Sequence, residues 1–182
     1  MRTGLEPEIR KLTIRDYYLL AKEGNLDPEE PTELVDGQII KMLPIGFSHS
    51  NAQANLLRQL FRQEDQARFK VWPGGLRISD SGERYPDISL VKPTIAVQPT
   101  PKDLFLLIEI ADSSLMYDLT EKKNEYETSE VNEYWVVDVQ DKAIFRFQLE
   151  NGKYMALGAK SSGELQPRAL PDIKILLEAV FQ

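Results

Sequence analysis

One apolar stretch with a single carboxylate inside it constrains this sequence more than any other feature. Residues 104–111 read Leu-Phe-Leu-Leu-Ile-Glu-Ile-Ala. A short apolar run between turn signals is typical of a buried central strand, although its periodicity alone leaves a helix open. An ionised carboxylate is costly to bury unless it is paired, hydrogen-bonded or bound to a metal, so Glu109 requires a partner. The ordinary alternative is a glutamate near the strand end that reaches solvent or pairs with a lysine.

Length, composition and charge indicate a globular protein of one domain without a membrane span. The chain has 182 residues, of which 42% are hydrophobic, and is expected to form one domain over residues 1–182. It has neither a run of the roughly 18 apolar residues that a membrane span needs nor an apolar signal segment, so the cytoplasm is the expected location. With no cysteine, disulfides and thiolate metal sites are excluded. The net charge of −7 argues against a protein that coats nucleic acid, but not against an enzyme with a local basic groove.

Local signals along the chain predict an α/β fold in which helices flank a mixed sheet. Helices are expected over residues 12–23, 48–66 and 115–129, the first with Thr13 as its N-cap. Strands are expected over residues 69–78, 86–91, 104–111 and 133–138, the first of them interrupted by a Pro-Gly-Gly break. Asp36-Gly37 and Asn151-Gly152 predict tight hairpin turns. Residues 79–85 are expected to form a polar loop, and residues 173–181 an apolar segment of either type.

Two carboxylates are predicted to meet on neighbouring strands. Asp87 follows Pro86 at the start of one strand, and Glu109 lies towards the end of the next. Two carboxylates brought together repel each other and raise one pKa, unless a cation lies between them. An oxygen-rich site of this kind suits Mg²⁺ or Mn²⁺, and the backbone carbonyl of Ile110 is a further candidate ligand.

A lysine on the following helix is the third candidate for this site. Lys122 has the same helical register as Leu119 and Tyr126, so its side chain is expected to lean inward. Its i, i+4 spacing from Asp118 also fits an ordinary surface ion pair, worth roughly 0.3–0.5 kcal/mol. An inward lysine beside two metal-bound carboxylates would instead orient an attacking water or stabilise developing negative charge.

Three other polar residues are open to more than one interpretation. Glu33 precedes the first hairpin turn and, taken alone, would be an exposed strand acid. His49, the only histidine, enters on the apolar face of the second helix, where a helix-start or core histidine is more common than a ligand or base. Arg84 lies in the predicted polar loop, where contact with a phosphate and simple solvation are equally open.

Taken together, these stretches resemble the Uma2 family of restriction-endonuclease-like proteins, formerly a domain of unknown function and abundant in cyanobacteria. The resemblance rests on the order and spacing of several short pieces rather than on any one of them. They are Leu12-Thr13 with Tyr17, Glu33-Leu34-Val35-Asp36-Gly37, Pro44 with His49-Ser50, Pro86-Asp87, Ile108-Glu109-Ile110, Asp118 with Lys122 and Tyr126, and Glu133-Tyr134-Trp135-Val136-Val137-Asp138.

The resemblance implies a PD-(D/E)XK nuclease fold, which is a mixed central sheet with flanking helices and here an additional antiparallel hairpin. It implies that Asp87 and Glu109 are metal ligands and catalytic residues and that Glu33 is an accessory acid. It also assigns the catalytic lysine to Lys122. Tyr126, like His49 and Arg84, is then a candidate accessory residue.

The sequence departs from the family pattern at three places. Ala111 stands where the lysine of a Glu-x-Lys motif would be, and the resemblance offers Lys122 as its replacement. Ser113-Ser114 replaces the usual Ser-Pro-Ser/Thr turn, and Glu130 stands where the family usually has glycine. The first departure bears on catalysis, and the other two bear on loop geometry.

Three functions are open from the sequence. The first is a Mg²⁺-dependent endonuclease that hydrolyses DNA phosphodiester bonds, acting as a homodimer by analogy with other nucleases of the fold. The second is a catalytically inactive binding or assembly module, favoured by the acidic balance and by Ala111; it predicts that Asp87→Ala leaves stability unchanged or improved. The third is a hydrolase that pairs His49 with a carboxylate, for which the sequence offers no convincing nucleophile.

Overall fold

The computed structural model describes residues 9–182, and a six-stranded mixed sheet forms its centre. The helices are α1 (Ile14–Lys22), α2 (Phe47–Phe61), α3 (Leu115–Tyr117) and α4 (Lys123–Thr128), with a π-helical turn (Asp118–Lys122) between the last two. The strands are β1 (Thr32–Val35), β2 (Gln38–Lys41), β3 (Lys70–Trp72), β4 (Leu76–Ser79), β5 (Gly82–Arg84), β6 (Ile88–Val91), β7 (Leu104–Ala111), β8 (Glu133–Asp138), β9 (Ala143–Glu150), β10 (Lys153–Lys160), β11 (Glu164–Leu165) and β12 (Ile175–Leu176). Short 3-10 turns cover Pro101–Asp103 and Leu177–Ala179.

Strand β7 lies inside the central sheet, whose order is β10-β9-β8-β7-β6-β3. It pairs antiparallel with β6 and parallel with β8, and all of its residues except Phe105 are buried. Alternate side chains of a strand point to opposite faces. Ile108 and Ile110 therefore pack with α2 on one face, whereas Leu107 and Glu109 point to the face covered by α4. The predicted buried central strand and the mixed sheet flanked by helices are confirmed.

The two predicted hairpins and their turns are also confirmed. Asp36 and Gly37 have φ angles of 47° and 76°, and Asn151 and Gly152 have φ angles of 51° and 76°. Two consecutive positive φ angles are what a type I′ turn requires. The first turn joins β1 to β2 and the second joins β9 to β10.

The first hairpin belongs to a second sheet that the sequence did not reveal. This four-stranded sheet has the order β2-β1-β5-β4. The strand predicted over residues 69–78 is found as β3 and β4 on either side of the predicted Pro-Gly-Gly break. The two pieces do not belong to one strand, however, because β3 joins the central sheet and β4 joins the second sheet. The prediction of a polar loop over residues 79–85 is also wrong. Strand β5 lies there, and its charged residues Glu83 and Arg84 are 0% and 2% exposed. Glu83 accepts a hydrogen bond from the hydroxyl of Tyr18 on α1, and Arg84 pairs with Glu33 on β1.

The helices agree with their predictions except at the ends. Thr13 caps α1 through a reciprocal capping box with Asp16, as expected. Helix α2 ends at Phe61 instead of near residue 66, because the carbonyl and carboxylate of Asp65 bond to following amides and form a separate turn.

The apolar segment over residues 173–181 forms β12 and a 3-10 turn. No helix within residues 9–182 is long and apolar enough to cross a membrane. That residues 1–182 form one domain stays a prediction.

The two hairpin glycines make a matched pair for testing how tightly the first turn is packed. Both have φ +76°, but a Cβ at Gly152 would meet nothing within 4 Å, whereas one at Gly37 would meet Lys11 Cβ and, at 2.9 Å, the backbone nitrogen of Leu12. We expect Gly152→Ala to destabilise the protein by about 1–2 kcal/mol through its left-handed backbone alone. Gly37→Ala should cost about 1–3 kcal/mol more, because the segment before α1 must move.

Chemical denaturation of both variants and wild type measures this difference. Equal losses in the two variants would show that the segment before α1 does not pack against the turn.

Candidate functional site

Glu109 is the centre of the site. It is 3% exposed on β7, and it faces the helical segment that follows this strand. Its Oε1 accepts a hydrogen bond of 2.6 Å from the Tyr126 hydroxyl, and its Oε2 lies 3.0 Å from Lys122 Nζ. Of the two forms of the ordinary alternative, a solvent-exposed glutamate is excluded, whereas a glutamate paired with a lysine is what the structure shows. The inward direction predicted for Lys122 is confirmed.

A second buried carboxylate holds the other side of this lysine. Asp118 is 1% exposed, and its Oδ1 lies 3.2 Å from Lys122 Nζ. Its Oδ2 accepts a hydrogen bond of 2.5 Å from the Ser114 hydroxyl. Both Asp118 and Lys122 belong to the π-helical turn. Turns of this kind are frequent at functional sites, and this one carries the lysine that contacts Glu109 on β7.

Burial and neighbouring charges act in opposite directions on this pair. Burial raises the pKa of Glu109, the Lys122 ammonium acts to lower it, and the Asp87 and Asp118 carboxylates add to the rise. The net pKa of Glu109 is above its ordinary value. Burial acts to lower the pKa of Lys122, but the Glu109 and Asp118 carboxylates outweigh burial and hold that pKa above its ordinary value. The lysine is therefore a cation at neutral pH in this arrangement.

Asp87 reaches the same end of β7 from the start of β6. Its Oδ2 accepts a hydrogen bond of 2.7 Å from the backbone amide of Ile110, the residue after Glu109. Its Oδ1 lies 3.0 Å from Nε2 of His49 on α2. The structure thus places one predicted carboxylate directly before β6 and the other on the neighbouring strand β7, and puts His49 in contact with Asp87.

The environment of His49 gives no support to a serine hydrolase. Ser50 donates its hydroxyl hydrogen bond to the carbonyl of Gly46. The second imidazole nitrogen of His49, Nδ1, is buried without a hydrogen-bond partner in the part of the chain that the structure describes. His49 therefore contacts a carboxylate but no serine hydroxyl there, and its contact orients Asp87.

The oxygen donors of this site fit a hard divalent cation. Within residues 9–182 no three histidine, cysteine or acidic side chains are grouped as metal ligands, so the protein would supply Asp87 and Glu109 as its side-chain donors. Mg²⁺ is commonly bound through one or two carboxylates with waters and substrate oxygens filling the other positions.

Glu33 and Arg84 form a neighbouring cluster instead of exposed polar groups. Arg84 Nη1 lies 2.7 Å from Glu33 Oε2, and its Nη2 and Nε bond to Glu125 Oε2 on α4 at 2.5 and 2.8 Å. The second oxygen of Glu33 accepts a hydrogen bond of 2.8 Å from the amide of Tyr85. The interpretation of Arg84 as a solvated loop residue is wrong, because this arginine is buried between two carboxylates that come from distant parts of the chain.

Sequence reasoning missed two contributors to the site. Asp118 was considered only as the helical neighbour of Lys122, and its i, i+4 spacing was the available signal. Glu125 had no signal, because its partner Arg84 lies 41 residues earlier in the sequence. Tyr126 is found where a candidate accessory residue would be, bonded directly to Glu109.

Two comparisons place the chain among known proteins. The family model of Uma2, described as "Putative restriction endonuclease", matches residues 14–178. A solved structure from Anabaena variabilis ATCC 29413, described as a "putative nuclease belonging to DUF820", is similar over 93% of this chain and 97% of that chain, with 14% sequence identity and a TM-score of 0.71. No curated protein sequence matches the chain. The structural similarity shows a shared fold, so the predicted restriction-endonuclease-like fold is confirmed.

Replacing Asp87 should cost stability, contrary to the expectation that its removal leaves stability unchanged or improves it. Asp87→Ala removes the acceptor of the Ile110 amide and the partner of His49, so we expect a loss of about 1–3 kcal/mol. Asp87→Asn keeps an acceptor oxygen and should lose less. Urea denaturation in the absence of divalent cations measures both. An alanine variant as stable as wild type would show that the two contacts contribute nothing.

Arg84 should be far more important for stability than a surface arginine. Arg84→Met leaves the buried Glu33 carboxylate without its cation, and removing one member of a buried pair typically costs about 3–5 kcal/mol. Arg77→Met is the matched control, since its ion pair with Asp80 is exposed and should change stability by about 0.5 kcal/mol or less.

Thermal and denaturant unfolding compare the two arginine variants. If Glu33→Gln added to Arg84→Met restores much of the loss, the uncompensated carboxylate is its cause. No restoration would assign the loss to packing.

Proposed function

The chain belongs to the Uma2 family, and on that premise we propose that it is a metal-dependent endonuclease that hydrolyses phosphodiester bonds of DNA. The observation that carries the proposal is the grouping of Asp87, Glu109 and Lys122 at one end of β7. A structural glutamate in this position would need only its tyrosine and lysine. Asp87, directly before the neighbouring strand, adds a second negative charge beside Glu109. A bound cation would offset this repulsion.

Asp87 and Glu109 would hold Mg²⁺ or Mn²⁺, with the backbone carbonyl of Ile110 as a proposed third protein ligand. When bound, such an ion polarises a phosphate oxygen and lowers the pKa of its own water. The chain's other residues orient these ligands. His49 fixes the direction of Asp87 through a contact of 3.0 Å, and Tyr126 fixes that of Glu109 through a hydrogen bond of 2.6 Å.

Lys122 would supply positive charge rather than act as a base. Its pKa is raised by the carboxylates of Glu109 and Asp118, so it keeps its proton at neutral pH. An ammonium held in place stabilises negative charge that develops on a phosphate or orients the attacking water. This role does not require the lysine to follow the glutamate in sequence, so Ala111 is compatible with it.

Glu33 has a less direct part in this proposal. Both of its oxygens are occupied, one by Arg84 and the other by the amide of Tyr85. Its charge still contributes to the raised pKa of Lys122. Because the guanidinium of Arg84 compensates its charge, Glu33 as an accessory acid would act through charge and through Arg84, and Arg84 would position it rather than contact a phosphate.

DNA is the proposed substrate because the family description names a restriction endonuclease. A homodimer and a cytoplasmic location stay predictions. The second candidate function is a catalytically inactive module that keeps the nuclease fold for binding or assembly. It is favoured by one observation, the ammonium of Lys122 at 3.0 Å from Glu109, because this contact already compensates the carboxylate.

Cleavage of supercoiled, linear and single-stranded DNA with Mg²⁺ or Mn²⁺ tests the proposal. Asp87→Asn and Lys122→Met should each reduce the cleavage rate by about a hundredfold or more, in line with the loss of one electrostatic group at a reacting centre. Lys123→Met is the matched control, because this adjacent lysine packs over the rings of Phe147 and Tyr154 on the flank of the helix. It should cleave like wild type.

The remaining outcomes separate the two functions. Equal cleavage by wild type, Asp87→Asn and Lys122→Met would assign the activity to another site or to a contaminant. Binding of Mg²⁺ in calorimetry without cleavage of any of the three DNA forms would favour the inactive module.

A further inference from the structure

Lys122 stands between two buried carboxylates but cannot compensate both. Its Nζ lies 3.0 Å from Glu109 Oε2 and 3.2 Å from Asp118 Oδ1, and the two acids are 3% and 1% exposed. In the described part of the chain no second lysine or arginine forms an ion pair with either acid. One cation therefore serves two anions, and a partner shared in this way can be redistributed between them.

The contact with Asp118 is the longer of the two, at 3.2 Å against 3.0 Å. Although the ammonium is 3.2 Å away, Asp118 Oδ1 has no hydrogen bond of acceptable geometry within residues 9–182. A buried acceptor without a well-directed donor is unfavourable and is uncommon in folded proteins. Asp118 thus presents an oxygen that would be better satisfied if Lys122 turned towards it.

The rest of Asp118 is held firmly enough to receive the lysine. Ser114 donates a hydrogen bond of 2.5 Å to its other carboxylate oxygen, and the hydroxyl of Tyr134 on β8 donates one of 3.0 Å to its backbone carbonyl. Because Lys122 Nζ lies within 3.2 Å of an oxygen of each acid, a small movement of its side chain is sufficient to change its principal partner.

Glu109 is in the opposite situation, because a cation held by Glu109 would compete with Lys122 for the same carboxylate. An ammonium and a divalent ion on the same carboxylate repel each other. We propose that Lys122 changes its principal partner, pairing with Glu109 when the site lacks a divalent cation and with Asp118 when the cation is bound. Asp118 is then a positioning residue that receives the lysine and keeps it beside the reacting phosphate. This inference rests on the proposed metal-dependent function.

The exchange predicts opposite effects of two substitutions on Mg²⁺ affinity. Lys122→Met removes the competitor for Glu109 and should tighten binding about tenfold. Asp118→Asn removes the alternative acceptor, so the lysine stays on Glu109 and binding should weaken by a similar factor. Asp118→Asn should have much less effect when Lys122 is already methionine, because no lysine then needs to be received.

A double-mutant cycle read by calorimetric Mg²⁺ titration tests this, with Mn²⁺ as a second probe. Its four proteins are wild type, Asp118→Asn, Lys122→Met and the double variant. Glu121→Gln is the control for general electrostatics, since this exposed acid lies on the same turn, and its affinity should stay near that of wild type. An equal effect of Asp118→Asn in both backgrounds would overturn the exchange and leave Asp118 as a simple source of negative charge.

Two further comparisons keep the inference testable. If Asp118→Asn does not fold, Lys122→Met against Lys123→Met is sufficient, because unchanged or weaker Mg²⁺ affinity in the former alone overturns competition for Glu109. If wild type binds neither Mg²⁺ nor Mn²⁺ at millimolar concentration, the proposed metal-dependent function fails, and the exchange fails with it. Wild-type binding without coupling in the cycle removes only the exchange.

Discussion

Burying the carboxylate of Glu109 inside a central strand sets the main requirement that the surrounding structure has to meet. A charge in this position is unfavourable unless other groups compensate it. The following helix supplies a hydroxyl from Tyr126 and an ammonium from Lys122, both within hydrogen-bonding distance of the carboxylate. The apolar residues of β7 fix the strand at the centre of the sheet. The partners of Glu109 therefore come from the helical segment, whose π-helical turn contains Lys122.

A second buried network connects the two sheets and the same helix. Arg84 on β5 contacts Glu33 on β1 and Glu125 on α4, so one guanidinium joins the four-stranded sheet to the helix that carries Lys122. Both networks place one cation between two carboxylates. The two networks differ in their hydrogen bonding. The planar guanidinium of Arg84 donates hydrogen bonds to both of its carboxylates at once. The ammonium of Lys122 leaves Asp118 Oδ1 without a well-directed donor. The second arrangement is the one on which the proposed exchange of Lys122 rests.

This difference relates the stability of the protein to its proposed chemistry. Asp87 and Glu109 place two carboxylates at one end of β7, where they repel each other when no cation is bound. Lys122 compensates part of this charge, and the contacts of Asp87 with the Ile110 amide and His49 offset its share of the repulsion. A lysine carried by a helix can move relative to the strand carboxylates, whereas one at the position of Ala111 would be fixed to the strand. The departure from the basic nuclease pattern is therefore consistent with a working site in a different geometry.

The sequence alone determined the features that depend on neighbouring residues. An apolar run specified the buried strand, paired turn residues with positive φ specified both hairpins, and helical spacing directed Lys122 inward. Only the tertiary structure decided which polar groups are buried and with whom. It divided residues 69–78 between two sheets and buried Arg84, which reads as a loop residue. The physical reason is that a charged side chain is excluded from the interior unless a partner meets it there, and such partners come from distant segments whose approach no local pattern records.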